Sequence, residues 1–356
     1  MRYDGNGGVD MARNAGRTRP VIKDVARLAG VSAPTVSRYL NGTVNVTEDK
    51  RRRIAEAIKE LGYEPSVAAR ALSNREMDSV VVFAANPDDF STSATNHGVE
   101  AAARKRGFLL NIVSLDESDM GSVEARVRMG LSVRPAGVIV YEYGWAGVEA
   151  LKRLPKDVPT VVVGGGFGDG DYQVINAERD GGRWMTMHLL DLGHEQIFHV
   201  AWDRETGDNS RSNGWRDALA ERGVEASEPI LVPFGDLGAA VALGRTLGAR
   251  KDVTAIFAAT DEIAIAVMKG LREAGRRVPD DVSVVGFDDM RFDAMWEPAL
   301  TSYTQNFHEM GERAFRMLYG QIEAQRTGRE PPPAQVEVVQ GRPCLRASER
   351  PPKDRG

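Results

Sequence analysis

From residue 79 onward the sequence repeats one pattern twice: short runs of Val, Ile, Leu, Phe and Ala, each followed by a stretch with helical spacing of its apolar residues. The first series reads VVVFAA, a helix through 99–107, LLNIVSL, a helix, GVIVYE, a helix and TVVVGGG. After a break at Asn176 the second reads a helix near 181–192, IFHVAW, a helix near 215–223, EPILVPF, a helix, AIFAAT, a helix and DVSVVGF. Strands that are apolar on both faces must be covered on both faces, and a crossover helix returns the chain to the same end of a parallel sheet. The expected class is α/β, in two similar halves. A cleft between the halves, at the carboxyl ends of the strands, is where a ligand belongs.

The preceding segment has no strand-like run. Ile22, Val25, Ala26 and Ala29 fall at i, i+3, i+4 and i+7, one apolar stripe on a short helix that stops at Gly30. Ser32 is placed to cap a second helix, with Pro34 in its first turn, Val36 and Leu40 on its buried face and Asn41-Gly42 at its end. Thr47 is placed to cap a third, in which Ile54, Ala57, Ile58 and Leu61 repeat the stripe before Gly62. Three short helices with a Gly-containing turn make a helix-turn-helix plan, so a small all-α head precedes the α/β body.

Charge follows the same division. The chain has a formal net charge of −5, yet residues 1–76 hold 14 Lys and Arg against 9 Asp and Glu, while the remainder holds 32 against 42. A basic head on an acidic body directs only the head toward phosphate. On the second helix Thr35, Ser37 and Arg38 point away from Val36 and Leu40. Their hydroxyls suit phosphate oxygens, and the guanidinium can fork onto guanine O6 and N7, which makes Arg38 the base-reading candidate. Ala33 and Pro34, at the leading end of that helix, carry no side-chain donor and are left to thymine methyls or groove shape. Ser32 and Asn41 complete the candidate DNA contacts on this helix and its end.

The run IKDVARLAGVSAPTVSRYLNG, followed by VTEDKRRRIAEAIKELGYEPSVAARAL, resembles the headpiece of the LacI/GalR family of bacterial repressors. The resemblance continues through LGHEQI, GWRDALAERGV, FAATDEIAIAVMKGLREAGRRVPDDVSVVGFDD and EPALTSYTQNFHEMGERA, and so covers residues 20–345. It implies a hinge helix at 66–72 that folds when two subunits sit on DNA, with Leu72 at the position of a leucine that wedges into the minor groove. A segment this short does not persist as a helix alone, and an apolar wedge kinks DNA by unstacking a step. Packing of Leu72 between head and body is the other reading. The resemblance further implies a homodimer, with a tetramer left open, on a palindromic double-stranded operator. It implies a body shared with periplasmic sugar-binding proteins, and an effector that is a sugar, nucleobase or related metabolite, with a sugar or sugar derivative favoured.

The expected layout is a disordered arm at 1–19, a headpiece at 20–64, a hinge helix and linker at 65–76, and an effector-binding and dimerisation domain at 79–346. Its first lobe is expected at 79–176 plus 303–330, its second at 177–302 plus 333–346, and a disordered tail at 347–356. Whether translation starts at Met1 or Met11 is open.

The same resemblance nominates cleft residues one at a time. Arg211, four residues before Trp215, matches the family arginine that bonds effector hydroxyls or carboxylates, and its planar fork suits such groups. Asp288 in GFDD matches a ligand-contacting aspartate, and Asp261 in ATDE matches another, although an acidic pair before an apolar run is equally a helix cap. Arg211 and Asp288 have mutual pairing as their alternative. Phe90 and Trp202 are candidates for aromatic stacking, Phe90 being equally suited to the core, and Trp296 lies near the same rim. Two positions depart from the family: Gly164 stands where many members have an aspartate, and Leu237 where several have a stacking aromatic.

Catalytic readings find no support. His194, Glu195 and His199 have HExxxH spacing, which on a helix puts the second histidine about 140° from the first, so no zinc site is expected. The run Gly164-Gly165-Gly166 lacks the GxGxxG order, and neither a GxxxxGK[ST] loop nor a GxSxG elbow occurs. Cys344 is the only cysteine, which excludes an intrachain disulfide and a thiol metal cluster. No metal, cofactor or enzymatic activity is expected. The first nineteen residues lack the apolar core of a signal peptide and no apolar stretch reaches spanning length, so a cytoplasmic protein is expected, associated with the nucleoid when on its operator. These features point to a ligand-responsive, sequence-specific repressor of sugar or carbohydrate-utilisation genes. An activator on the same scaffold is the alternative, and the helix-turn-helix head argues against a solute-binding protein.

Overall fold

A computed structural model describes residues 20–40, 46–63, 79–86, 89–116, 119–165, 172–203 and 210–353. The chain divides into two compact units, Met1–Met77 and Asp78–Gly356.

The first unit holds helices α1 (Ile22–Ala29), α2 (Ala33–Leu40) and α3 (Glu48–Leu61). Gly30 ends α1 in the left-handed region at φ 61°, where its N–H reaches the carbonyls of Ala26 and Arg27. Val25, Ala26, Ala29, Val36, Ile54 and Ala57 form the core on the expected stripes, joined by Val46 and Tyr63. The caps differ in detail from expectation. Thr47 occupies the N-cap of α3 without a side-chain hydrogen bond, and the Ser32 hydroxyl pairs at 2.8 Å with that of Thr35 while its carbonyl receives Val36 N–H.

The second unit is two-lobed. Its first sheet is entirely parallel, in the order β11-β5-β4-β3-β1-β2. The strands are β1 (Ser79–Ala85), β2 (Leu109–Leu115), β3 (Gly137–Glu142), β4 (Thr160–Gly164), β5 (Gln173–Asn176) and β11 (Val336–Val339). Successive residues of β1 serve opposite faces, as strand geometry requires. Val80, Val82 and Ala84 pack with α4 (Phe90–Lys105) and α11 (Phe307–Thr327). Val81 and Phe83 pack with α5 (Met120–Ser132) and α6 (Trp145–Lys152).

The second sheet, β7-β6-β8-β9, is also parallel and comprises β6 (Phe198–Trp202), β7 (Ile230–Val232), β8 (Ala255–Ala258) and β9 (Ser283–Val285). Helices α7 (Glu178–Asp191) and α8 (Arg211–Glu221) cover one face, and α9 (Leu237–Gly248) and α10 (Asp261–Glu273) the other. A short separate pair, β10 (Ser302–Thr304) with β12 (Arg342–Cys344), is antiparallel.

Two expectations about the layout are corrected. Residues 336–339 do not belong to the second lobe: they add to β5 at the edge of the first sheet, because an amphipathic strand such as VEVV fits any half-covered edge. Residues 347–353 are not a loose tail. Ser348 O accepts Val284 N–H at 2.9 Å, its hydroxyl donates to Val284 O at 2.6 Å, and His194 Nε2 meets Arg350 O at 3.0 Å. The segment therefore lies along the outer edge of β9.

Each of three helix pairs crosses on reciprocal glycines. A methyl on Gly98 would overlap the carbonyl of His308, and one on Gly311 that of Thr95, so α4 and α11 touch backbone to backbone. Gly182 and Gly214 play the same parts for α7 and α8, against Arg211 and Arg179, and Gly244 and Gly270 for α9 and α10, against Val267 and Val241. Two ion pairs lock the middle crossing in register: Arg179 Nε with Asp217 Oδ2 at 2.6 Å and Arg183 Nη2 with Glu221 Oε2 at 2.6 Å. Both are exposed enough that they fix geometry more than they add stability.

Gly214→Ala should therefore destabilise the body by about 1–3 kcal/mol, since overpacking against backbone outweighs the roughly 1 kcal/mol gain in helix propensity. Urea unfolding is the measurement, and an unchanged midpoint would mean that the crossing tolerates separation.

Candidate functional site

On the head, α2 presents Ser32, Pro34 and Arg38 to solvent, with Ala33, Thr35 and Ser37 half-buried and Val36 buried beneath them. Ala33 packs toward the core rather than standing clear of it. Arg38 is thus the exposed charged side chain on this helix. Arg52 and Arg53 share Asp49, at 3.0 and 3.2 Å, and Arg51 Nε donates to Val46 O at 3.1 Å. Asn41 and Leu72 lie outside the described residues.

In the body, Arg211 is the first residue of α8, whose N-cap Ser210 accepts Asn213 N–H at 3.2 Å. Because α7 and α8 cross on Gly182 and Gly214, the start of α8 is brought against the start of α7, where Glu178 stands. Arg211 Nη2 lies 3.2 Å from Glu178 Oε1 and 3.2 Å from Asp288 Oδ1; its other amine donates to Ala259 O, and the guanidinium sits 4.3 Å over the Phe287 ring. Arg211 and Asp288 are each 12% exposed.

Asp288 and Asp289 follow β9 with positive φ, 105° and 54°, a backbone conformation that side-chain-bearing residues rarely adopt. Adjacent carboxylates are thereby turned to different tasks. Asp288 accepts Gln305 Nε2 at 2.7 Å beside Arg211. Asp289 takes Thr304 Oγ1 at 2.8 Å, Cys344 Sγ at 3.2 Å and the Arg346 guanidinium. Burial pushes Asp288 up to about 6, more than Arg211 and Gln305 can offset, with the charges of Glu178 and Glu262 adding to the rise. Burial acts on Asp289 too, but Arg346, Thr304 and Cys344 outweigh it and hold that carboxyl below its ordinary value.

Sequence reasoning passed over Tyr143, Glu178 and Gln305. Tyr143 directly follows β3, and its hydroxyl donates toward Met310 Sδ at 3.6 Å. Burial, with Glu178 next, holds that hydroxyl protonated far above neutral pH; Arg211 opposes and Asp288 adds to the rise, which places the group among them. The Tyr143 ring lies over Gly164, where any Cβ would overlap it, and Gly164 itself has φ 79°. A side chain at 164 would require this exposed tyrosine to move. The signal that would have found all three residues is position alone: the carboxyl end of a strand, or a segment crossing between lobes.

The other nominated residues separate clearly. Asp261 is fully buried; its oxygens accept Ser302 Oγ at 2.6 Å and Met290 N–H at 3.0 Å, so it pins the 286–293 turn and is corrected from effector contact to structural carboxylate. The N-cap of α10 is its neighbour Thr260, which accepts Ile263 N–H at 3.3 Å. Trp202 is buried in the second-lobe core and meets Phe234 edge-on at 5.7 Å, a packing role in place of the expected stacking face. Phe90 is half-buried and edge-on to Phe307 at 5.9 Å, two residues from Gln305. Leu237 and Trp296 are exposed. His194 and His199 are buried and engaged with Thr254, Ser283, Ser212 and backbone carbonyls, and no group of potential metal ligands occurs among the described residues.

The raised Asp288 value fixes a sign. The folded state keeps this proton up to about pH 6 while the unfolded chain releases it near pH 4, so the stability it contributes is complete below about pH 4 and is lost as pH rises to 6. Asp288→Asn should remove that slope. Urea midpoints from pH 4 to 7 should show the variant gaining on the parent across this window, by no more than about 3 kcal/mol, and parallel curves would contradict the assigned burial.

Comparison with known proteins agrees with this geometry. Residues 21–66 match bacterial regulatory proteins, lacI family, and residues 186–348 match the periplasmic binding protein-like domain. The transcriptional regulator CelR of Thermobifida fusca is 34% identical over 329 residues, covering 87% of this chain and 94% of the relative. The transcriptional repressor PurR of Mannheimia succiniciproducens is 30% identical, covering 89% and 96%. Among solved structures, a CelR-cellobiose complex superposes with a TM-score of 0.68 at 30% identity, over 93% of this chain and 100% of that one. A lac repressor dimer bound to operator and the anti-inducer ONPF shares the fold, with a TM-score of 0.82 at 23% identity over 94% and 100%. No described helix is long and apolar enough to cross a membrane. The chain belongs to the LacI family of bacterial regulatory proteins.

Proposed function

We propose that this DNA-binding transcriptional regulator represses carbohydrate-utilisation genes from the cytoplasm, as a homodimer on a palindromic operator, and that a sugar or sugar derivative held in the body's cleft sets its operator affinity. The observation that carries the reading is the attachment of the two ligand-facing groups. Arg211 is bonded to Glu178, just past one crossing between lobes, and Asp288 to Gln305, in another. A ligand that takes hydrogen bonds from Arg211 and Asp288 competes with the contacts that hold the crossings, and so changes the relation between the lobes. By linkage, the operator then alters ligand affinity by the same factor as the ligand alters operator affinity.

The cellobiose in the CelR complex supports a saccharide as the first class to test. A second copy of the chain has an apolar surface to cover on the first lobe, where the edge strand β2 exposes Leu109 and Ile112 beside Met129 and Val133. A two-fold dimer reads two half-sites, which is why a palindrome follows. In the head, Arg38 is assigned base readout, with Ser32, Ala33, Pro34, Thr35, Ser37 and Asn41 supplying backbone and shape contacts and Leu72 the minor-groove wedge.

Arg38→Ala should cost about 1–3 kcal/mol of discrimination at one symmetric pair of base positions. Selection from a randomised operator library would reveal it, and an unaltered consensus would remove Arg38 from base reading. Arg211→Ala should abolish the response of operator affinity to cellobiose and related saccharides in a gel-shift titration, with circular dichroism confirming the fold. A normal response would take Arg211 out of the effector site.

A further inference from the structure

We infer that Glu178 is a specificity-determining residue of the cleft: sharing the Arg211 fork with Asp288, it restricts the effector to an uncharged, hydroxyl-rich molecule and rejects one that carries phosphate or carboxylate. The inference rests on the cleft being the effector site.

The charges decide it. Arg211 and Glu178 both act on Tyr143 and on Asp288, and Glu262 acts on Asp288 as well. Nη2 of Arg211 is equidistant from Glu178 and Asp288, 3.2 Å from each, so its charge is already shared between two partners. An incoming anion must either displace Glu178, leaving a carboxylate without its cation in a shielded cleft, or lie beside carboxylates of its own sign; both are unfavourable.

Hydrogen-bond capacity agrees. Ionised carboxylates accept only, so Glu178 and Asp288 call for donors on the ligand. A sugar hydroxyl donates to a carboxylate and accepts from Arg211 at once, without moving a charge. Tyr143, protonated and ring-on to Gly164, contributes a neutral apolar face and no further cation. The position of Glu178 is set by the Gly182 and Gly214 crossing, which brings the starts of α7 and α8 together.

Inorganic phosphate is a suitable probe, because it reports whether the Arg211 fork is available without requiring the natural effector. Thermal unfolding of the full chain is followed against phosphate, with chloride matched for ionic strength. The parent should show no saturable stabilisation that depends on Arg211. Glu178→Gln should acquire a saturable phosphate stabilisation that the parent lacks, Glu178→Gln with Asp288→Asn should bind phosphate about threefold or more tighter than that single variant, and adding Arg211→Ala should erase both. If the double variant fails to fold, the single Glu178→Gln substitution decides. Phosphate binding by the parent that disappears in Arg211→Ala overturns the inference, as does a Glu178→Gln variant indifferent to phosphate. The cleft reading is judged separately, on operator binding: a saccharide response that survives Arg211→Ala sinks that reading, and this one with it.

Discussion

One guanidinium organises the cleft. A cation largely withdrawn from water must be neutralised by carboxylates within a few ångströms, and the fold supplies them from segments far apart in sequence. Glu178 comes from the helix that follows β5, Asp288 from the positive-φ turn that follows β9, and Ala259 O from the end of β8. None of these reaches Arg211 unless α7 and α8 meet at their first turns, which two glycines allow by letting the helix backbones touch. The packing constraint thus lies upstream of the electrostatics, and the electrostatics upstream of any ligand chemistry.

Three aspartates near this centre are held in different ways. Asp288 is poorly compensated; Asp289, next in sequence, is bound on both oxygens; Asp261 is sealed between Ser302 and the Met290 amide. Burial raises both Asp261 and Asp288, and what separates them is exposure: Asp261 is sealed, whereas Asp288 keeps some access to solvent.

Much of this was legible in the sequence. The apolar stripes of the head and the all-apolar strands of the body report their own burial, because periods of 3.6 and 2 leave little choice of face. Arg211 and Asp288 were nominated through the family resemblance, and the mutual pairing named as their alternative is the contact present. Asp261 was not, since a ligand contact and a buried structural role share the same ATDE pattern. Tyr143 and Glu178 carry no motif; their roles arise from a ring lying over Gly164 and from a helix crossing, both properties of long-range packing. The placement of Val336–Val339 and of residues 347–353 was illegible for a related reason: a short edge segment is defined by the neighbour it joins, and that neighbour is more than sixty residues away.

Those two segments hem both sheets. Val336–Val339 closes the outer side of β5, and residues around Ser348 close the outer side of β9. They are translated after every other strand of the two sheets. A nascent chain that has completed the rest of the body still carries two open strand edges, each a row of unpaired amides and carbonyls that invites pairing with another chain. The body is therefore most exposed to aggregation in the interval before its final residues emerge, and a premature stop anywhere upstream of 336 would extend that interval indefinitely.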